Sequence, residues 1–166
     1  MNVKIKNLGI TKYQDTWLAM KNFISSNPDH DEIWITEHYP IYTVGLNKKG
    51  LVLPKNKDIE FLYVDRGGKI TYHGPGQLII YTMINTKKYS FNIRQLVTIL
   101  EQSVVNLLKK IEVESFTKND APGVYINNSK IASIGLRLKN GYTCLLYTSD
   151  AADEGLGVDL GGRRII

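Results

Sequence analysis

Apolar residues along this chain recur with two different periods. Tyr13, Trp17, Met20 and Ile24 are spaced for one amphipathic helix, which should end near Asn27-Pro28. A longer series, Ile93, Leu96, Val97, Leu100, Val104, Leu107, Leu108 and Ile111, lines one face of a second helix of about twenty residues, with Asn92 placed to cap it. Between and after these helices the apolar runs are short and rich in β-branched and aromatic residues. Glu32 to Thr36 predicts a strand, followed by a loop through Gly50 and Pro54. Phe61-Leu62-Tyr63-Val64 and Leu78-Ile79-Ile80-Tyr81 read as buried strands within residues 60–65 and 77–85. Val124–Ile126 and Lys130–Leu138 predict strands joined at Asn127-Asn128, and Asn140-Gly141 signals a further hairpin turn leading into a strand from Tyr142. The pattern is that of one α/β domain with enough apolar residues for a core.

The polar residues of greatest interest sit between two of those strands, in Arg66-Gly67-Gly68-Lys69-Ile70-Thr71-Tyr72-His73-Gly74-Pro75-Gly76-Gln77. The flanking apolar runs make this a strand–loop–strand unit with its chemistry in the loop. Glycine allows positive φ and a close approach of backbone to ligand, and Pro75 between two glycines stiffens the path. Such a loop can offer backbone N–H groups to a carbonyl or carboxylate, with Arg66 and His73 beside it. The plainer alternative is a long hairpin whose glycines only turn the chain.

This segment resembles the signature of the lipoyl(octanoyl) transferases, R-G-G-x-x-T-Y-H-G-P-G-Q, at every fixed position. Further stretches resemble the same family in the same order: Glu37-His38-Tyr39-Pro40-Ile41-Tyr42-Thr43-Val44-Gly45, Ala121-Pro122-Gly123-Val124-Tyr125, and Lys130-Ile131-Ala132-Ser133-Ile134-Gly135-Leu136-Arg137. The resemblance runs from about residue 31 to 143. It implies a mixed sheet flanked by helices, of the biotin/lipoate ligase-like superfamily, and an octanoyltransferase of lipoate biosynthesis. In that family a cysteine thiolate takes octanoyl from an acyl carrier protein thioester, and a lysine of a lipoyl domain then attacks the acyl-enzyme.

By the same resemblance Lys130 is the catalytic lysine, able to lower the cysteine's pKa and to move protons. Its plainer reading is a solvated side chain after a hairpin turn. Arg66, Gly67, Gly68, Lys69, Ile70, Thr71, Tyr72 and His73, with Ser133, Ile134 and Gly135, match the acyl-substrate-binding segments. His73 either orients a polar group or packs on Tyr72. The implied partners are octanoyl-acyl carrier protein as donor and, as acceptors, lipoyl domains of 2-oxoacid dehydrogenases and the glycine cleavage H protein. No cofactor, metal or nucleotide is expected, and His30 and His38 are not arranged in sequence as metal ligands with His73. Two alternatives remain: an ATP-dependent lipoate or biotin ligase, and a non-catalytic homologue that binds carrier proteins.

The resemblance stops after Asn140-Gly141-Tyr142-Thr143, where the family continues with His-Gly, a strand and a nucleophilic cysteine in a Pro-Cys-Gly context. Residues 144–166 instead back-translate, in one frame, to a string resembling a transposase-type adapter from DNA sequencing libraries. The expectation is a partial catalytic domain over residues 1–143, lacking its C-terminal strands and nucleophile, followed by a non-native tail over 144–166. Cys144, the single cysteine, stands in a Thr-Cys-Leu-Leu context unlike the family's. The strand from Tyr142 would then be continued by tail residues of high β propensity. Without the late strands, a sheet edge and poor solubility are expected.

Charge changes the picture only modestly. The chain carries 21 Lys+Arg against 16 Asp+Glu, and residues 1–143 alone carry 19 against 12, once Arg163, Arg164, Asp150, Asp153, Glu154 and Asp159 are set aside. A basic surface suits an acidic protein partner through steering. The basic residues are scattered and form no nucleic-acid-binding motif, so no nucleic acid is expected. With no secretory signal and no long apolar run, the expectation is a cytoplasmic monomer that does not engage membranes.

Overall fold

The computed structural model describes residues 2–54, 58–89, 92–139 and 141–148, with backbone only for Leu136, Arg137, Lys139 and residues 144–148. Its elements are β1 (Val3–Thr11), α1 (Tyr13–Ser25), β2 (Asp31–His38), β3 (Ile41–Val44), β4 (Glu60–Tyr63), β5 (Ile70–His73), β6 (Ile79–Met83), α2 (Ile93–Lys110), β7 (Phe116–Thr117), β8 (Gly123–Ile126), β9 (Ser129–Lys139) and β10 (Tyr142–Thr148). Seven strands form one sheet in the order β1-β2-β6-β10-β9-β8-β7, and β4-β3-β5 form a second. Both sheets are mixed: β1 pairs parallel with β2, and β3 parallel with β4, among otherwise antiparallel neighbours.

Side-chain alternation on β6 explains how both helices find the large sheet. Ile79, Tyr81 and Met83 point to one face, where they meet Met20 and Ile24 of α1 together with Trp34 and Tyr142. Ile80 points to the other, where Val124, Ala132 and Ile134 meet Val104, Val105 and Leu108 of α2. The sheet is therefore covered on both sides, the flanked mixed sheet expected from sequence. Helix α2 begins with a reciprocal cap. The Gln95 backbone N–H donates to Asn92 Oδ1 at 3.0 Å, and the Asn92 N–H donates to Gln95 Oε1 at 2.7 Å. Helix α1 stops where Asn27 takes a left-handed φ of 47° before Pro28.

The structure corrects several sequence expectations. Strands β1, β3 and β7 were not anticipated, and the glycine-rich segment is not a single loop, because β5 lies inside it. Ile70-Thr71-Tyr72-His73 are strong β formers, yet the strand is only four residues long and bracketed by glycines, which hid it. For β3 the brackets are Pro40 and Gly45. The strand expected from Tyr142 is β10, which runs on into the residues after Thr143 and lies between β6 and β9, while β1 and β7 are the sheet's edges. The turn residue Asn140 lies outside the described residues, whereas Gly141 takes a φ of +84° before β10.

The small sheet is held by a row of aromatic rings across its strands. Tyr42 of β3 stacks on Phe61 of β4 at 5.0 Å and meets Tyr72 of β5 at 5.4 Å, each pair being in direct register. On the large sheet, Thr36, Ile79, Thr148, Ser133 and Gly123 form one continuous row of backbone partners. The end of β2, the start of β6 and the β8–β9 hairpin therefore share one end of the sheet, where the chemically interesting residues collect.

Candidate active site

The glycine loop is moulded onto the chain that leaves β3. Gly45 N–H donates to the Lys69 carbonyl at 2.5 Å, Leu46 N–H to that of Arg66 at 3.0 Å, and Asn47 N–H to that of Gly68 at 3.1 Å. A side chain at Gly45 would meet the Gly68 carbonyl oxygen at 2.5 Å, so two backbones touch here as only glycine allows. Gly67, Gly68 and Lys69 are exposed and form the lip of the site, while Thr71 and His73 point inward and are buried. Past β5 the chain reverses at Gly74-Pro75-Gly76-Gln77. Gln77 N–H donates to the Gly74 carbonyl at 3.2 Å, Pro75 holds the second position and Gly76 the third with φ +84°, as in a type II turn. Glu37 anchors this turn, its Oε2 accepting from Gly76 N–H at 2.6 Å.

Behind the lip lies a buried polar array centred on Thr43. Arg66 Nη2 donates to the Thr43 carbonyl at 2.9 Å, to Thr43 Oγ1 at 2.7 Å and to Thr71 Oγ1 at 2.7 Å, while Nη1 donates to the Gly67 carbonyl at 2.8 Å. Thr43 Oγ1 is also 3.2 Å from His73 Nε2. His73 Nδ1 is 3.0 Å from Gln77 Oε1, and Gln77 Nε2 donates to the Tyr72 carbonyl at 3.1 Å. Burial drives the His73 imidazole down to about 3; the Gln77 hydrogen bond opposes this, and the nearby charges of His38 and Arg66 reinforce it. His73 is therefore neutral at physiological pH.

The ring His73 packs on is Tyr13 of α1, stacked at 5.4 Å, and not Tyr72. Tyr13 also meets His38 edge-on at 5.1 Å, and the His38 and His73 rings are 5.9 Å apart. His38 is fully buried, bonded through Nδ1 to the Thr11 carbonyl at 3.1 Å and through Nε2 to the Tyr81 hydroxyl at 2.7 Å. Burial lowers its pKa too. His30 is remote, at the other end of β2. There it lies 2.7 Å from Asp29 and 2.9 Å from Glu32, and hydrogen bonds to Asp29 and then Glu32 raise its pKa. Among the described residues no group of three or more His, Cys, Asp or Glu is arranged to hold a metal ion.

Lys130 stands one step into β9, paired with Tyr125 of β8, and its Nζ lies 5.4 Å from the centre of the Tyr125 ring. It is half-buried and not a freely solvated lysine. Its stem runs alongside Gly123, where an added Cβ would lie 3.2 Å from Lys130 Cδ and Cε and 2.5 Å from the Ala132 carbonyl oxygen. Gly123 is pinned by α2: its N–H donates to the buried carboxylate of Glu101 at 2.7 Å. Ser133, Ile134 and Gly135 continue β9 toward the sheet centre, paired with Thr148, Tyr147 and Leu146, and are partly buried.

The array thus joins Arg66, Thr71 and His73, while Gly67, Gly68 and Lys69 form the rim and Lys130 with Ser133 occupies the same end of the large sheet. Sequence reasoning missed Thr43 and Glu37 as parts of the site. Both lie in the Glu37–Gly45 stretch that resembles the transferase family, so the signal was present, but nothing in one dimension pairs a strand threonine with Arg66 and His73.

The match to a family model and to known proteins agrees with this geometry. Residues 13–149 match the lipoyl protein ligase A/B catalytic domain. An octanoyltransferase from Shewanella halifaxensis is 45% identical over 139 residues, covering 82% of this chain and 64% of that protein. One from Buchnera aphidicola is 48% identical over 141 residues, covering 84% of this chain and 67% of that protein. The chain therefore spans roughly two thirds of the length of these relatives, 64% of the first. A bipartite lipoate protein ligase from Thermoplasma acidophilum superimposes with a TM-score of 0.71 at 17% identity, over 94% of this chain and 64% of that one, which shows the shared fold. On the family match the chain belongs to the lipoyl protein ligase A/B catalytic-domain family, and the relatives it resembles are named octanoyltransferases.

Proposed function

We propose that the protein carrying these residues moves an octanoyl group from an acyl carrier protein thioester to the lysine ε-amine of a lipoyl domain. The observation that carries this reading is the complete Arg66–Gln77 segment in a chain 45% identical to a protein named octanoyltransferase. In this reading a cysteine thiolate attacks the thioester carbonyl and expels the carrier's thiol. The acceptor amine then attacks the acyl-enzyme, forming the amide and returning the thiolate. Lys130, half-buried beside Tyr125, supports the thiolate as a cation, gives its proton to the departing carrier sulfur, and as the resulting neutral amine takes up the proton of the attacking acceptor amine. Gly67, Gly68 and Lys69 receive the acyl donor at the rim, and Ile70, Tyr72, Ser133, Ile134 and Gly135 border its path. Burying the C8 tail offers about 0.8 kcal/mol per methylene.

The nucleophile is proposed to follow Thr143 in the natural protein, with residues 144–166 replacing that segment here. The acceptors are lipoyl domains of 2-oxoacid dehydrogenases and the glycine cleavage H protein, and the enzyme acts as a cytoplasmic monomer. Among the described residues no helix is long and apolar enough to cross a membrane.

The test pairs this chain with the product of the gene resequenced across the codon for Thr143. Each is incubated with octanoyl-acyl carrier protein and an unmodified lipoyl domain, and the acceptor is weighed by intact mass spectrometry. ATP-independent acylation by the resequenced product alone supports the reading. Turnover by the 166-residue chain would refute the proposed location of the nucleophile. Acylation from free octanoate that requires ATP would favour a ligase instead.

A further inference from the structure

The array behind the lip runs in one direction only, and each end dictates it. The Tyr72 carbonyl is purely an acceptor, so the Gln77 amide must turn its NH₂ toward it, 3.1 Å away. Gln77 Oε1 then faces His73 Nδ1 at 3.0 Å, and because that oxygen can only accept, Nδ1 carries the proton. His73 is neutral, so Nε2 has a lone pair and accepts from the Thr43 hydroxyl at 3.2 Å, nearer than that hydroxyl's other acceptor, the Thr71 carbonyl at 3.4 Å. Arg66 can only donate, and its Nη2 gives a hydrogen to Thr43 Oγ1 at 2.7 Å. Thr43 is the hydroxyl that joins Arg66 to His73, accepting on one side and donating on the other.

We infer that Thr43 is a positioning residue, whose hydroxyl donates to the Nε2 that the Nδ1–H tautomer of His73 leaves open and so ties the Arg66 guanidinium behind the glycine lip, through His73 and Gln77, to the Tyr72 backbone. The inference rests on the octanoyltransfer reading only for its kinetic consequence. Both nitrogens of His73 are engaged in this line of donors, so His73 braces the lip and leaves proton transfer to other groups. A serine at 43 can do the same, since it keeps the hydroxyl on the same strand. A valine keeps the β-branched shape and removes both the acceptor for Arg66 and the donor for His73.

The test is imidazole ¹⁵N NMR of the full chain, wild type, Thr43→Ser and Thr43→Val. Wild type and T43S are expected to show a protonated Nδ1 and a hydrogen-bonded, unprotonated Nε2 for His73, and T43V the same tautomer with its Nε2 resonance moved downfield by loss of the Thr43 donor. An Nε2–H tautomer in the wild type overturns the inference even if T43V fails to fold, and so does a T43V spectrum identical to wild type. In the resequenced full-length gene product, T43V should lower kcat/KM for the acyl donor about tenfold, the effect of losing one such hydrogen bond, while T43S stays within about twofold. Should that wild-type product transfer no octanoyl group, the functional reading fails while the spectra still decide the role of Thr43.

Discussion

Single atoms set the tolerance of this site. At Gly45 a methyl group would lie 2.5 Å from the Gly68 carbonyl oxygen, and both partners are backbone. Gly45→Ala should displace the Arg66–Lys69 loop and cost about 1–3 kcal/mol, typical of overpacking. A urea midpoint unchanged from wild type would refute that. His73 carries a prediction of definite sign. Its folded pKa of about 3 lies below the ordinary value of 6.5, so between those limits the unfolded chain binds the extra proton. Stability from keeping His73 neutral is complete above pH 6.5 and is lost as pH falls toward 3. In NMR of the folded protein the His73 ring should fail to titrate between pH 7 and pH 4.5 while the urea midpoint declines, and titration near pH 6.5 would contradict the buried placement. The hydrophobic pattern left Thr43 and Gly45 in the loop expected between Thr36 and Pro54. Their significance comes from groups that reach them across space.

Among the elements, the contact of α2 with β8 matters most for the lysine. The buried Glu101 carboxylate accepts from Gly123 N–H at 2.7 Å, and Gly123 borders the stem of Lys130. Glu101→Ala leaves that N–H without its acceptor and should cost about 1–3 kcal/mol, whereas Glu101→Gln keeps an acceptor oxygen and should cost less. Equal losses in thermal or urea unfolding for the two variants would rule out the capping role. Both helices were legible from spacing alone, including the Asn92 cap, because helical periodicity over several turns is a redundant signal. Strands of four residues such as β3 and β5 offer no such redundancy, and the turn residues around them dominate the local pattern.

For the whole molecule, charge and length have consequences that no single element shows. With 19 basic against 12 acidic side chains over residues 1–143, encounter with an acidic carrier protein should be electrostatically steered. In the resequenced gene product, kcat/KM for the carrier-bound donor should fall severalfold between about 0.05 M and 0.5 M salt, as the Debye length shrinks below about 10 Å, with kcat little changed. No salt dependence would mean that the basic residues are only a solvated surface. Lys130→Met in the same protein should abolish transfer while leaving the fold intact, since the side chain is only half-buried. Retained transfer would remove Lys130 from the chemistry.

The sequence by itself determined the helices, the β8–β9 and β9–β10 hairpins and the family, because periodicity, turn residues and the uninterrupted motif from Arg66 to Gln77 are properties of neighbours along the chain. Tertiary structure alone decided the small sheet, the contact of Gly45 with the lip, the packing of His73 on Tyr13, and the joining of Arg66 to Tyr72 through Thr43. Each of these depends on residues about 20 to 60 positions apart meeting within a few ångströms, and the free energy that selects such meetings is packing and hydrogen bonding in the folded core.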